Sequence, residues 1–150
     1  MKIEQAIKQY KFESNVQKAF VNLMYTANQL RDTQKIIFEP FDILPQHFNI
    51  LRIIKGKHPN AISPGEIKEV MLDKAPDITR LLDKLVKLGL INRQTCNQNR
   101  RKIDITLTQK GLNELKKLNE SVAAYTKKLE KNISEKEAAI LSNLLDKLRG

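Results

Sequence analysis

Eight basic side chains crowd into residues 74–102: Lys74, Arg80, Lys84, Lys87, Arg93, Arg100, Arg101 and Lys102, against only Asp77 and Asp83. Their net charge of +6 is more than half of the formal +10 carried by all 150 residues. Ammonium and guanidinium groups gathered on so short a stretch are chemistry for phosphate, because they neutralise backbone charge and release its counterions. An arginine fork also matches the two acceptors on the edge of guanine. Catalytic groups, in contrast, are gathered nowhere. There is no glycine-rich phosphate loop, no Ser/His/Asp or Cys/His set, and no carboxylate pair framed by glycine turns. His47 and His58 have no cysteine or carboxylate at metal-ligand spacing. The single cysteine, Cys96, leaves no disulfide framework and no zinc cluster. No catalytic residue, metal or cofactor is expected.

The elements that hold this charge can be read from spacing. Ile78, Leu81, Leu82, Leu85, Val86 and Leu88 fall on one face of a helix. Pro76 suits its first turn, and Gly89 suits the left-handed residue that closes it. The outer face then carries Thr79, Arg80, Asp83, Lys84 and Lys87. Upstream, Ser63-Pro64-Gly65-Glu66 is a capping box that opens a short helix to about Met71, with Ile67 and Val70 or Met71 inward. Two short helices joined by a tight turn form a helix-turn-helix. Downstream, Leu90 to Thr95 is extended and Asn97-Gln98-Asn99 is a polar turn. Ile103, Ile105 and Leu107 alternate with polar residues as in a half-buried strand. The predicted unit is a winged helix-turn-helix whose hairpin tip carries Arg100, Arg101 and Lys102.

The remaining segments are helical. Residues 3 to about 38 read as one long helix, with Ile3, Ile7, Val16, Phe20, Leu23, Met24, Ala27 and Leu30 as its apolar positions and Pro40 as its stop. Pro45 opens another, burying Phe48 and Leu51 with Ile50, Ile53 and Ile54, and Gly56 ends it. Thr108 caps a helix striped by Leu112, Leu115, Leu118, Val122, Tyr125 and Leu129. Ser134 to Glu137 is a second capping box, opening a last helix with Ala138, Leu141, Leu144, Leu145 and Leu148 inward. The expected fold is therefore mainly α. It is one domain over 1–150, with a winged-helix module at about 45–108 flanked by dimerisation helices at about 3–38 and 109–149. The terminal stripes are longer than a module of this size can cover, so a homodimer is expected. No apolar run approaches the roughly 18 residues of a membrane span. The N-terminal MKIEQAIKQYKFE is charged throughout, unlike a signal peptide. A lone cysteine suits a reducing cytoplasm.

This order of elements resembles the MarR (multiple antibiotic resistance regulator) family of bacterial transcription factors. The resemblance spans nearly the whole chain and is strongest over residues 45–111. Thr79-Arg80-Leu81-Leu82-Asp83-Lys84-Leu85 looks like that family's recognition helix, and Lys87-Leu88-Gly89-Leu90-Ile91 with Arg93 looks like its exit. Arg100-Arg101 and Leu107-Thr108-Gln109-Lys110-Gly111 look like its wing and the start of the next helix. Two places depart from the pattern: Asn99 stands where an aspartate usually precedes the wing arginines, and Ala75, Pro76 and Asp77 stand where serines often begin the recognition helix.

The resemblance implies a regulator, a repressor in the main, that binds an inverted repeat in double-stranded DNA as a homodimer. In that setting Thr79 meets a thymine methyl or a phosphate, Arg80 a guanine or a phosphate, and Lys84 a phosphate. Asp77 caps the helix or accepts from a cytosine amino group. Ser63 and Pro64 either offer backbone N–H groups to a phosphate or form a plain cap. Of Arg100 and Arg101, one reaches the minor groove and one holds the wing, and Lys102 adds charge beside them. The resemblance also implies a small aromatic effector, for which Phe12, Phe20, Phe41, His47 and Phe48 are the candidate lining, with ordinary core as the alternative. Cys96, near Arg93 and Arg100, reads as an incidental small residue before it reads as a thiol sensor. The competing class is a winged-helix adaptor that binds protein without reading DNA.

Overall fold

The computed structural model describes residues 1–150 apart from 74–76, 96–98 and 100–101. The chain divides into two compact units, Met1–Pro45 and Gln46–Gly150. The expectations placed on Lys74, Ala75, Pro76, Cys96, Asn97, Gln98, Arg100 and Arg101 lie outside the described residues.

The first unit holds α1 (Ile3–Ala6) and α2 (Asn15–Phe38), followed by a 3-10 turn at Glu39–Phe41. The single helix expected over residues 3–38 is thus broken. Lys8 takes a left-handed φ of 54°, which a right-handed helix cannot pass through. Ser14 then starts a new helix: its hydroxyl accepts from Gln17 N–H at 3.1 Å, while the Gln17 amide oxygen accepts from Glu13 N–H at 2.8 Å. Lys18 on α2 pairs with Glu4 on α1, and this hydrogen bond is the main reason the Glu4 carboxyl sits below its ordinary range. Of the stripe read on α2, Val16, Phe20 and Met24 are exposed.

The second unit is built around α3 (Pro45–Lys57), α4 (Pro64–Val70), α5 (Ile78–Lys87), β1 (Ile91–Thr95), β2 (Ile103–Leu107), α6 (Gln109–Leu129) and α7 (Glu135–Arg149). Ile50, Leu51 and Ile54 of α3 are fully buried, and the helix runs one residue past Gly56. Met71 is buried at the end of α4 while Val70 is exposed, which decides between the two. Ile67, Leu82, Leu85, Ile105 and Leu118 complete the fully buried set of this unit. Each such side chain contributes roughly 1.5–3 kcal/mol through the apolar surface it removes from water.

The strands pair antiparallel with Ile91 opposite Leu107, Arg93 opposite Ile105 and Thr95 opposite Ile103. A third segment joins them. Ile62, just ahead of α4, exchanges both backbone hydrogen bonds with Ile105, each at 3.0 Å. This bridge ties the entry to α4 directly to the wing, and nothing in the apolar spacing announces it.

The last helix corrects an expectation. Leu141, Leu144 and Leu148 were expected to point inward, yet all three are exposed, as is Ile140, with Leu144 58% accessible. Ala138 and Leu145 are half-buried. Its period does mark an apolar face, and that face is exposed. Among the described residues no helix is long and apolar enough to cross a membrane.

Candidate nucleic-acid interface

The site begins with α5. Leu81, Leu82 and Leu85 are buried, and by helical spacing this turns Thr79, Arg80, Asp83 and Lys87 outward, where all four are exposed. Lys84 is half-buried, and Val86, expected inward, is 40% accessible. The helix runs from Ile78, with Asp77 as its N-cap. One Asp77 carboxylate oxygen accepts from Thr79 N–H at 3.1 Å and from Arg80 N–H at 3.4 Å. An anion at a helix N-terminus also complements the backbone dipole there. Of the two roles weighed for Asp77, the cap is therefore the one its geometry occupies.

The other end of α5 is closed by a joint with α6. Gly89 takes φ 71°, the left-handed turn read from its position. Thr108 donates its hydroxyl to the Gly89 carbonyl at 2.7 Å, and the same oxygen accepts from Gly111 N–H at 2.9 Å as the cap of α6. Lys110 donates to the Leu88 carbonyl at 2.7 Å, which puts a cation at the negative end of the α5 dipole. In the sequence Lys110 stands out only as part of a motif, because its partner is a backbone carbonyl.

The α4 entry is held as expected. Ser63 N–H and Ser63 hydroxyl both donate to one Glu66 carboxylate oxygen, at 2.9 and 2.8 Å, and Ser63 Oγ accepts from Glu66 N–H at 3.3 Å. The backbone hydrogen bond from Ser63 is the chief cause that lowers the Glu66 carboxyl below its ordinary range, with the nearby charges of Lys57 and Lys102 adding to it. The Ser63 hydroxyl is thus engaged in its own cap, with Pro64 at the first helical position.

On the wing, Lys102 is exposed, and its N–H donates to the Asn99 carbonyl at 2.8 Å. Arg93 is ion-paired. Its guanidinium donates to Asp83 at 2.7 Å. Asp83 is the one acid on the outer face of α5, so the pair removes the only negative charge that would oppose phosphate there. The Arg80 guanidinium has no hydrogen-bond or ion-pair partner among the described residues.

A second feature is a groove of about 650 Å³ between α3 and α6, lined in part by Arg52, Lys55, Asn119, Val122, Thr126 and Lys127. None of the five expected pocket residues borders it. Phe12 and Phe41 are half-buried and Phe20 is exposed, all in the first unit, while His47 is buried and Phe48 half-buried on α3. The Arg52 guanidinium stands 5.9 Å from the Phe48 ring centre, within cation–π range. The sequence signal for this groove was weak, because α3 and α6 lie some sixty residues apart and its walls mix lysines with small side chains. Among the described residues no group of three or more His, Cys, Asp or Glu side chains could hold a metal ion.

The arrangement of α4, α5 and the β1–β2 wing can be set beside known proteins. The MarR family model matches residues 43–103. A MarR transcription factor of known structure from Planctomyces limnophilus is 32% identical and superposes with a TM-score of 0.71, over 91% of this chain and 98% of that one. The chain belongs to the MarR family. A MarR mutant from Escherichia coli, solved in complex with operator DNA, is 29% identical with a TM-score of 0.71, over 85% of this chain and 91% of that one. The HTH-type transcriptional regulator PapX of Escherichia coli is 26% identical over 120 residues, 80% of this chain and 73% of its own length. The mainly helical fold with a two-stranded wing, expected from the sequence, is the fold of this family.

Proposed function

We propose that the protein is a sequence-specific transcriptional regulator, a repressor, that grips double-stranded DNA as a homodimer. The observation that carries this reading is the outer face of α5, where the Arg80 guanidinium has no partner among the described residues, Lys87 is exposed and the only acid is neutralised. A MarR-family relative in complex with operator DNA supports it.

In this reading the N-terminal half of α5 enters the major groove. Arg80 reads guanine or a phosphate, Thr79 a thymine methyl or a phosphate, Lys84 and Lys102 bind phosphate, and of Arg100 and Arg101 one reaches the minor groove while the other holds the wing. Asp77, Ser63 and Pro64 act one step back, as caps that fix where the two helices begin.

The uncovered apolar faces of α7 and α2 support pairing with a second copy. Such a pair reads an inverted repeat whose half-sites lie about one helical turn, roughly 34 Å, apart. The groove lined by Arg52, Lys55, Lys127 and Glu130 is where a small aromatic effector would bind to cause release from DNA, its ring against Val122. The place of action is the cytoplasm, where the chromosome of a bacterium lies.

Selection of bound duplexes from a random library tests the proposal. Enrichment of an inverted repeat is expected, and an unenriched pool would sink it.

A further inference from the structure

Arg93 occupies an unusual place. Along β1 the side chains alternate, so Ile91, Arg93 and Thr95 share one face of the hairpin. Across the ladder Arg93 is opposite Ile105 and Ile91 is opposite Leu107. Directly opposed residues project to the same side, and Ile91, Ile105 and Leu107 are all buried. A guanidinium therefore stands at a strand position whose neighbours are apolar core. It reaches past them to Asp83 on α5 at 2.7 Å, and its side chain is 28% accessible. Asp83 in turn lies between Arg80 and Lys87, three residues after one and four before the other, on the same helical face.

We infer that the Arg93–Asp83 pair sets the rotation of α5 about its own axis relative to the wing, and so determines which base edges Thr79 and Arg80 meet. Arg93 is a positioning residue for sequence discrimination, not a phosphate contact. The inference rests on the DNA-binding reading above and deepens it. The physical reason is a directional, charge-assisted hydrogen bond: one Arg93 guanidinium N–H donates to an Asp83 carboxylate oxygen at 2.7 Å, a contact that α5 would lose if it rolled. Leu81, Leu82 and Leu85 hold α5 against the core without directional bonds. The α5 residue tied to the β1–β2 hairpin by an ion pair lies three residues, about one turn, from Arg80, the proposed base reader.

Charge counting alone would assign Arg93 to the phosphate backbone, and the two assignments make different predictions. The experiment uses the full chain, a duplex that the wild type has selected from random DNA, and a scrambled duplex of the same composition. Affinities are measured across a salt series for wild type, Arg93→Gln and Asp83→Asn, with circular dichroism of each. For a positioning pair, both variants lose preference for the selected duplex by roughly tenfold, the scale of one mismatched base pair. The salt slope of Arg93→Gln stays at the wild-type value, and Arg93→Lys, which keeps a cation within reach of Asp83, recovers part of the preference.

For a phosphate contact, Arg93→Gln weakens both duplexes alike, its salt slope drops by about 0.9, and Asp83→Asn tightens both. That result would overturn the inference. So would unchanged discrimination in both variants, or loss of the helical spectrum in both, which would make the pair a part of core stability. A wild type that binds every duplex without salt dependence would instead defeat the DNA-binding reading, which is a separate outcome.

Discussion

Gly111 approaches the backbone of Leu90 so closely that a Cβ built on it would stand 2.0 Å from the Leu90 carbonyl oxygen. Around this contact Thr108 N–H donates to the same carbonyl at 3.1 Å, and Lys110 and Thr108 hold the carbonyls of Leu88 and Gly89. The start of α6 is thereby seated on the exit of α5. A methyl group cannot enter without moving one backbone or the other. Gly111→Ala is expected to cost about 3 kcal/mol, the upper end of ordinary overpacking. Urea unfolding should show a lower midpoint with an unchanged slope. A midpoint equal to wild type would mean that the joint is looser than described.

Lys110→Met keeps the aliphatic stem and removes the charge. The contact with the Leu88 carbonyl is exposed, so the loss should be about 0.3–1 kcal/mol at low salt, the range for a cation at a helix C-terminus. It should shrink at high ionic strength. Unfolding curves at two salt concentrations read this directly, and an effect that grows with salt would contradict it.

Three carboxyls, Glu4, Glu66 and Glu137, are lowered from an ordinary value of 4.5 by hydrogen bonds to the charged form. The unfolded chain then binds more protons than the folded one in acid, so these groups add stability at pH values above 4.5 that is lost as pH falls below it. Thermal melts should be flat with pH from these groups above that value and drop below it. Glu66→Gln, which keeps an oxygen for Ser63 N–H, should flatten part of the acid limb. An unchanged limb in the variant would show that Glu66 does not contribute.

Leu141 and Leu144 lie on the exposed apolar face of α7, and glutamate is a good helix former. Leu141→Glu/Leu144→Glu should leave helix content intact and shift the protein from dimer to monomer in sedimentation velocity. A double variant that sediments as wild type would remove α7 from the proposed interface.

The parts legible in the sequence were those with local causes. A serine three residues before a glutamate announced the caps at Ser63 and Ser134, and Gly89 announced the turn out of α5. The apolar spacing from Ile78 to Leu85 gave the buried face and, by subtraction, the basic one. The break after Ala6 was hidden because no glycine or proline marks it, and its signals are only the gap in the apolar stripe between Ile7 and Val16 and Ser14 followed by Gln17. The Ile62–Ile105 bridge has one residue per side and hence no period. Arg93 and Lys110 carry charge that sums like any other, and only three dimensions reveal partners 10 and 22 residues away. For α7 the period told which face is apolar but not what covers it.

The central claim is that the exposed cations of α5 and the wing bind duplex DNA and that Arg80 reads it. The most direct measurement is the salt dependence of binding to the selected duplex, for wild type and Arg80→Ala. Log affinity should fall steeply with log salt, at a slope of about 0.9 per phosphate neutralised. The variant should lose roughly tenfold or more, as expected when a guanine contact worth about 1–3 kcal/mol is removed. A flat salt dependence, with Arg80→Ala binding as tightly as wild type, would contradict the account.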